Sequence, residues 1–346
     1  MSIPAPAPEL MPAYPASWFL FGLASEFRRG PVSRDLLGQR LVAFRTASGK
    51  PVVLDARCAH LGADLGEGCV IGEEVQCAFH NWRYKPDGRC SSAPNAPEAA
   101  WARLRSYPTV ERHGYLFFFN GPEALFPLPF FEDAEPGAYV VARPLRFYAA
   151  CPWYLVNGNS FDVQHFRSGH GRELIGEPVI DCPHPFARRN RLTLRNVGDS
   201  VADRLLRSLL GDRVCVSMTN WGGSVVVVTG DFRSTRSNLI TFIEPIDRER
   251  CFLNVLVYAQ RGRIGRLFDH LRLWLRRRFT NSFMAEEFQM LAGIRYHTGC
   301  LVESDRPMID YFQWLTHLPR GAPAAAAPAA DRPYSLPLSL CEERVP

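Results

Sequence analysis

The chain has 346 residues, of which 47% are apolar and 22% charged, and its formal net charge is +5. That length is enough for two domains with a sizeable core. No Lys/Arg block of the nucleic-acid-binding kind is present, and no stretch approaches the roughly 18 apolar residues of a membrane span. The opening MSIPAPAPELMPAYP has no basic segment followed by an apolar run, so no secretory signal is expected. Ten cysteines scattered over such a chain point to a reducing compartment, the cytoplasm, with thiols used for metal or simply buried.

Residues 1–15, rich in Pro and Ala, read as a flexible arm. From Leu41 the pattern is β-like: LVAFR, a turn at Ser48-Gly49-Lys50, then PVVLDA predicts a hairpin. VQCAFHNWRY and GYLFFF add short strands, so 16–125 reads as a small all-β module, with a Pro-rich connection over 121–137. The following 126–318 is mixed. Helix is expected near 154–168, 199–210 and 263–297, and strands near 213–218, 224–232, 238–244 and 251–259. The fold class is therefore α+β. The stretch 319–346 opens with RGAPAAAAPAADRP, low-complexity sequence expected to be partly disordered.

Cys58 and His60 form C-x-H, and sixteen residues later Cys77 and His80 form C-x2-H. Two thiolates and two imidazoles are the inventory of a Rieske 2Fe–2S centre, with the cysteines on one iron and the histidines on the other. Zinc accepts the same donors, but zinc modules usually group Cys with Cys and His with His. Further on, NGNSFDVQHFRSGH contains Asp162, His165 and His170. Two histidines and a carboxylate with open positions left over make the facial triad of non-haem Fe(II) oxygenases. Residues five apart on an ideal helix differ by about 140°, so a helix break at Ser168 or Gly169 is expected if His165 and His170 share a metal. Asp162 is placed to accept a hydrogen bond from the His165 ring and so fix its tautomer. By itself D-x2-H-x4-H is a weak motif.

The boxes Cys58-Ala59-His60-Leu61-Gly62 and Cys77-Ala78-Phe79-His80-Asn81-Trp82 resemble those of the Rieske family, and the pairing with Asp162, His165 and His170 resembles its non-haem iron oxygenases, catalytic subunits above all. Ala63 and Phe79 stand where respiratory Rieske proteins carry an extra disulfide, which places the likeness with the oxygenases. HNWRY and the GYLFFFNG…PLP stretch are most similar to monooxygenases of the aminopyrrolnitrin oxygenase kind. The resemblance implies an N-terminal Rieske domain and a helix-grip-like catalytic domain with an antiparallel sheet. It also implies a homotrimer in which Asp162 bridges to His80 of a neighbouring copy.

The resemblance further implies a third iron ligand on a late helix. The segment LVESDRPMIDYFQWL anchors it at Glu287, with Glu286 as rival and a solvated Glu pair as the plainer reading. Many relatives have an acidic residue where Gly158 stands. O2 as co-substrate and an apolar ring-containing small molecule follow from the same likeness. No flavin or dinucleotide fingerprint is present, so NAD(P)H would act through a separate ferredoxin or flavin reductase. An electron carrier without oxygenase chemistry of its own remains the alternative. Cys69 and Cys90 read as buried structural residues. The basic amphipathic stretch 262–279 puts Ile264, Leu267, Phe268, Leu271, Trp274 and Leu275 on one face, and is read as packing on the protein's own sheet rather than on a membrane.

Overall fold

The computed structural model describes residues 3–321 apart from 95, 199–203, 205, 206, 209, 263 and 264. The helix expected at 199–210 therefore falls largely outside the described residues, as does the tail beyond 321. The first third of the chain is all β. Trp18–Leu23, Tyr115–Phe119 and Thr109–Arg112 form one three-stranded sheet. The predicted hairpin is Gln39–Arg45 paired with Pro51–Asp55, flanked by Val32–Leu36 and Ser106–Tyr107. Gly49 turns it at φ 87°, a left-handed value that an L side chain resists. A third sheet, Cys69–Ile71, Glu74–Gln76, Arg83–Tyr84 and Cys90–Ser92, holds the second Cys/His box between two of its strands.

The remainder is built on a nine-stranded sheet. Its main path runs Tyr139–Val141, Cys251–Gln260, Arg236–Pro245, Val225–Phe232, Arg213–Trp221, Ala187–Asn196 and Arg172–Leu174, every pair antiparallel. Leu145–Ala149 and Val179–His184 complete it. The last-named strand and Ala187–Asn196 were not expected from sequence. Pro183, Pro185 and a run of arginines hide an alternation in which Asn190, Leu192 and Leu194 point inward. Arg189 and Arg191 are held outward on Asp181 at 2.8 and 2.7 Å.

The period of two along Val225–Phe232 sets the layering. Val225 and Val227, with Ile240, Phe242, Leu256 and Tyr258, face the N-terminal module and pack on Phe117 and Phe119. The Phe117 and Phe242 rings are 4.9 Å apart. Val226, with Leu192, Leu194 and Met218, faces the other way. A sheet covered on both faces explains a continuous Val run in place of polar alternation. The helices α1 (Trp153–Gly158), α2 (Val163–His170), α3 (Arg266–Met290) and α4 (Arg306–His317) lie beyond that second face. Of these, α3 packs on Cys251–Gln260 and Leu145–Ala149.

The expected loose arm is packed. Met11 is buried in the core around Trp153, whose indole N–H donates to the Pro12 carbonyl at 3.1 Å. Gly321 donates to Tyr14 and Ala16 to Pro319, tying the first described residues to those near 320. An extended Pro-rich segment cannot fold on itself, but its free carbonyls suit it to lie across other elements. The Pro-rich connection is likewise not a free linker, since Phe126, Leu128 and Phe131 are buried between the two parts.

Candidate metal centres and cavity

Cys58 and Cys77 sit on two loops with the same internal bonding. Cys58 N–H bonds to Ala63 O at 2.9 Å and Gly62 N–H returns to Cys58 O at 2.9 Å. Likewise Cys77 N–H bonds to Trp82 O at 2.8 Å and Asn81 N–H to Cys77 O at 3.2 Å. The residue four after each cysteine is left-handed, Gly62 at φ 75° and Asn81 at φ 58°. The loops thus bring two buried thiols side by side in the module's core, while His60 is exposed and His80 partly so. The two imidazole rings are 4.7 Å apart. Cys90 is buried as expected, but Cys69 is exposed.

Two residues of the second box do more than sequence reasoning assigned them. Trp82 stacks on His60 with centroids 4.8 Å apart and planes within 4°. The Tyr84 hydroxyl accepts from Ala59 N–H at 3.0 Å and lies 3.1 Å from Cys58 Sγ, so that toward a Cys58 thiolate, which has no proton to give, the phenol is the donor. Burial raises the Tyr84 phenol, and the Cys58 contact raises it further. It therefore stays a donor. Burial also raises the Cys58 thiol. HNWRY displays both residues, but their contacts depend on the loops closing.

Downstream, Asp162 caps α2: its carboxylate accepts from Gln164 N–H at 3.0 Å and His165 N–H at 3.3 Å. The expected link from its side chain to the His165 ring is made instead by its backbone carbonyl, 2.9 Å from Nδ1. The carboxylate is already engaged by the helix N–H groups. The outcome for the imidazole is the same, because Nδ1 carries the proton and Nε2 is left as the donor. The expected helix break between His165 and His170 is also absent. α2 runs unbroken to His170 and stops at Gly171, left-handed at φ 58°. The two side chains span the angular gap, their ring centroids 5.2 Å apart.

Glu287 on α3 completes the group. Its Oε2 is 2.6 Å from His170 Nε2 and 3.7 Å from His165 Nε2. The three donor atoms lie within 4.8 Å of one another, which among the described residues makes this the group fit for a single ion. Glu286, the rival, is exposed. Burial alone would raise the Glu287 carboxyl, but the two imidazoles hold it down at about 2. Burial would likewise lower His165, and Glu287 together with Asp162 more than reverses it, leaving it raised. A buried carboxylate facing two imidazoles is a donor set matched to a divalent cation. Asn159 Nδ2 contacts both Glu287 Oε1 and His165 Nε2, a residue that no sequence signal marked. At Gly158 a Cβ would meet the Phe312 ring at 2.6 Å, so no acidic side chain fits there.

His165, His170 and Glu287 lie on the wall of a cavity of about 270 Å³. Its other walls are mostly apolar, with Leu194, Val216, Met218, Val226 and Leu239 from the sheet and Phe279, Phe283 and Met284 from α3, while Arg172, Asn196, Asp212 and Arg213 add polar groups.

Residues 17–108 match the family described as the Rieske [2Fe-2S] domain. The chain carries a Rieske domain. The oxygenase component of 3-ketosteroid-9-alpha-monooxygenase from Rhodococcus rhodochrous is 39% identical over 180 residues, 51% of this chain and 44% of that protein. Aminopyrrolnitrin oxygenase PrnD from Pseudomonas fluorescens is 32% identical over 166 residues, 45% of this chain and 46% of that protein. The matched part thus spans about half the length of these curated relatives. Over most of the chain the fold is similar to those of solved structures. Dicamba monooxygenase bound to dicamba superposes with a TM-score of 0.59 at 17% identity, covering 87% of this chain and 97% of that one. NdmB of Pseudomonas putida CBB5 superposes at 0.63 and 17%, covering 90% and 91%.

Proposed function

We propose that the chain is the oxygenase component of a Rieske-type monooxygenase acting on an apolar, ring-containing small molecule. In this reading Cys58, His60, Cys77 and His80 hold a 2Fe–2S cluster, and His165, His170 and Glu287 hold a mononuclear Fe(II). The supporting observation is the convergence of the last three on the wall of an apolar cavity in a chain that carries a Rieske domain. When bound, the cluster supplies single electrons and the mononuclear iron a site for O2 reduction beside the substrate.

The chain's own residues do the rest. The Asp162 carbonyl keeps the His165 proton on Nδ1, and Glu287 stays ionised at any working pH. The Val, Leu and Phe walls bind an apolar ring and exclude water. His80 is partly exposed, free for contact with a neighbouring copy. In a homotrimer Asp162 would stand as a hydrogen-bonded bridge between that His80 and the triad. A separate ferredoxin or flavin reductase would deliver electrons from NAD(P)H. The nine described cysteines are all free, in keeping with the cytoplasm. The relatives named above are called after a 3-ketosteroid, aminopyrrolnitrin and dicamba, which share ring structure but not size. The substrate class drawn from them is no narrower than that.

The test is anaerobic purification with metal and sulfide counting, followed by O2 uptake with a surrogate reductase. About three irons and two acid-labile sulfides per chain, with uptake stimulated by a ring compound, are expected. Two irons without substrate-dependent uptake would make the chain an electron carrier. Zinc without sulfide would overturn the reading altogether.

A further inference from the structure

Helix α3 is amphipathic the wrong way round for a helix that simply packs on its own sheet. Phe268, Leu271, Trp274 and Leu275, the face expected to be buried, are 51%, 52%, 57% and 54% exposed. Phe279, one turn on, is 48% exposed. The opposite face is buried and partly polar. Asp269 receives the Gly262 N–H at 2.8 Å, Arg276 donates to Tyr258 O at 3.2 Å, and Leu273 and Thr280 are covered. The inner face is thus committed to the helix's own sheet and to the metal site, which leaves the apolar stripe outside.

We propose that this outer face docks on an anionic lipid surface. Three observations select that occupant. The exposed charges flanking the stripe are cationic: Arg272 and Arg278 are exposed and Arg277 half-buried, whereas the one acidic residue between 265 and 279, Asp269, is buried. A second copy packed face to face across a two-fold axis would oppose like charges, while a layer of anionic headgroups complements them. The stripe is a convex helix surface with Leu, Phe and Trp projecting between long arginines, the arrangement of a helix lying in a membrane interface. Arg278 sits over the Trp274 ring at 5.9 Å. No described helix is long and apolar enough to cross a bilayer, so this one would lie on it.

The third observation is continuity with the cavity. Phe279 ends the exposed stripe and also lines the cavity, and Phe283 and Met284 follow it on the next turn. An apolar molecule dissolved among acyl chains would therefore reach the cavity mouth from the lipid side, without crossing bulk water. The surface and the cavity support this; the identity of the metal does not enter, so the proposal and the oxygenase reading fail separately.

The experiment is flotation of the full-length protein with phosphatidylglycerol/phosphatidylcholine vesicles and with pure phosphatidylcholine vesicles. Binding to the former, weakened on the latter and at high salt, is expected. Leu271→Ser/Trp274→Ser and Arg272→Glu/Arg278→Glu, each checked against the wild type by circular dichroism and by cluster absorption, should each weaken binding about tenfold or more. Two folded variants guard against the failure of one. Wild-type protein that does not float with anionic vesicles would overturn the proposal, as would folded variants that bind unchanged. So would a drop in oligomer size in either variant on sedimentation, which would assign the face to a second copy.

Discussion

Cys58, His60, Cys77 and His80 stand on two loops that each close within six residues of chain, whereas His170 meets Glu287 across 117 residues. The first set is local twice over, and each loop forms its own backbone bonds whatever the rest of the protein does. The second set exists only when α3 has packed on the sheet and presented one of two adjacent glutamates inward. Local sites are written in spacing and tolerate little variation in it. Distant sites are written in packing, and their ligands can be named from sequence only by analogy.

That contrast can be broken most directly at Cys77. Its thiol is buried beside Cys58 in the module's core, and Cys77→Ala should abolish the cluster's visible absorption and its EPR signal entirely. Iron at the downstream group should persist, since among the described residues no hydrogen bond joins a Cys/His box to His165, His170 or Glu287. Loss of both metals together would show that the sites are not independent. Next in size, His170→Ala should remove the mononuclear iron while the cluster spectrum remains. Glu287→Gln should lower iron content severalfold and Glu286→Gln should leave it unchanged, because the latter side chain is exposed. Metal analysis of the three variants decides the matter.

A pH dependence comes third. Glu287, held at about 2 against an ordinary 4.5, adds stability above 4.5 that is lost as pH falls toward 2. His165, raised above 6.5, adds stability that is complete below 6.5 and fades as pH rises through its folded value. The metal-free protein therefore gains most from this pair between 4.5 and 6.5. An ion needs neutral imidazoles, so its affinity should rise as that contribution fades. Titration of the metal-free protein with Fe(II) at slightly acid and slightly alkaline pH should show tighter binding at the higher value. Equal affinities would remove the proton competition on which this expectation rests.

The smallest effect is at Tyr84. Tyr84→Phe removes one O–H donor from Cys58 sulfur. A hydrogen bond worth about 1 kcal/mol corresponds to about 40 mV for a one-electron couple, and the cluster potential should fall by that order. Iron content should not change. A voltammetric midpoint equal to the wild type's would mean that the hydroxyl serves only to hold Ala59.

Hairpins, Cys/His boxes and the run of late strands were legible because each rests on signals within a few residues: turn glycines, alternating apolar positions, short donor spacings. Ala187–Asn196 was not, since its outward arginines mask the alternation and their partner Asp181 lies on another strand. Nor was the arm at 3–15, whose order comes from Trp153 and from residues near 320.

By itself, then, the order of residues displayed two short-range donor sets, the Cys58/His60 and Cys77/His80 boxes and the closely spaced His165 and His170, because those donors stand within a few residues of one another. Only the folded arrangement decided which glutamate turns inward, that Asp162 acts on His165 through its carbonyl, and that the apolar face of α3 points to solvent. Hydrophobic periodicity says that a helix has two faces. Which one the core accepts depends on what the opposite sheet and the metal site require of it.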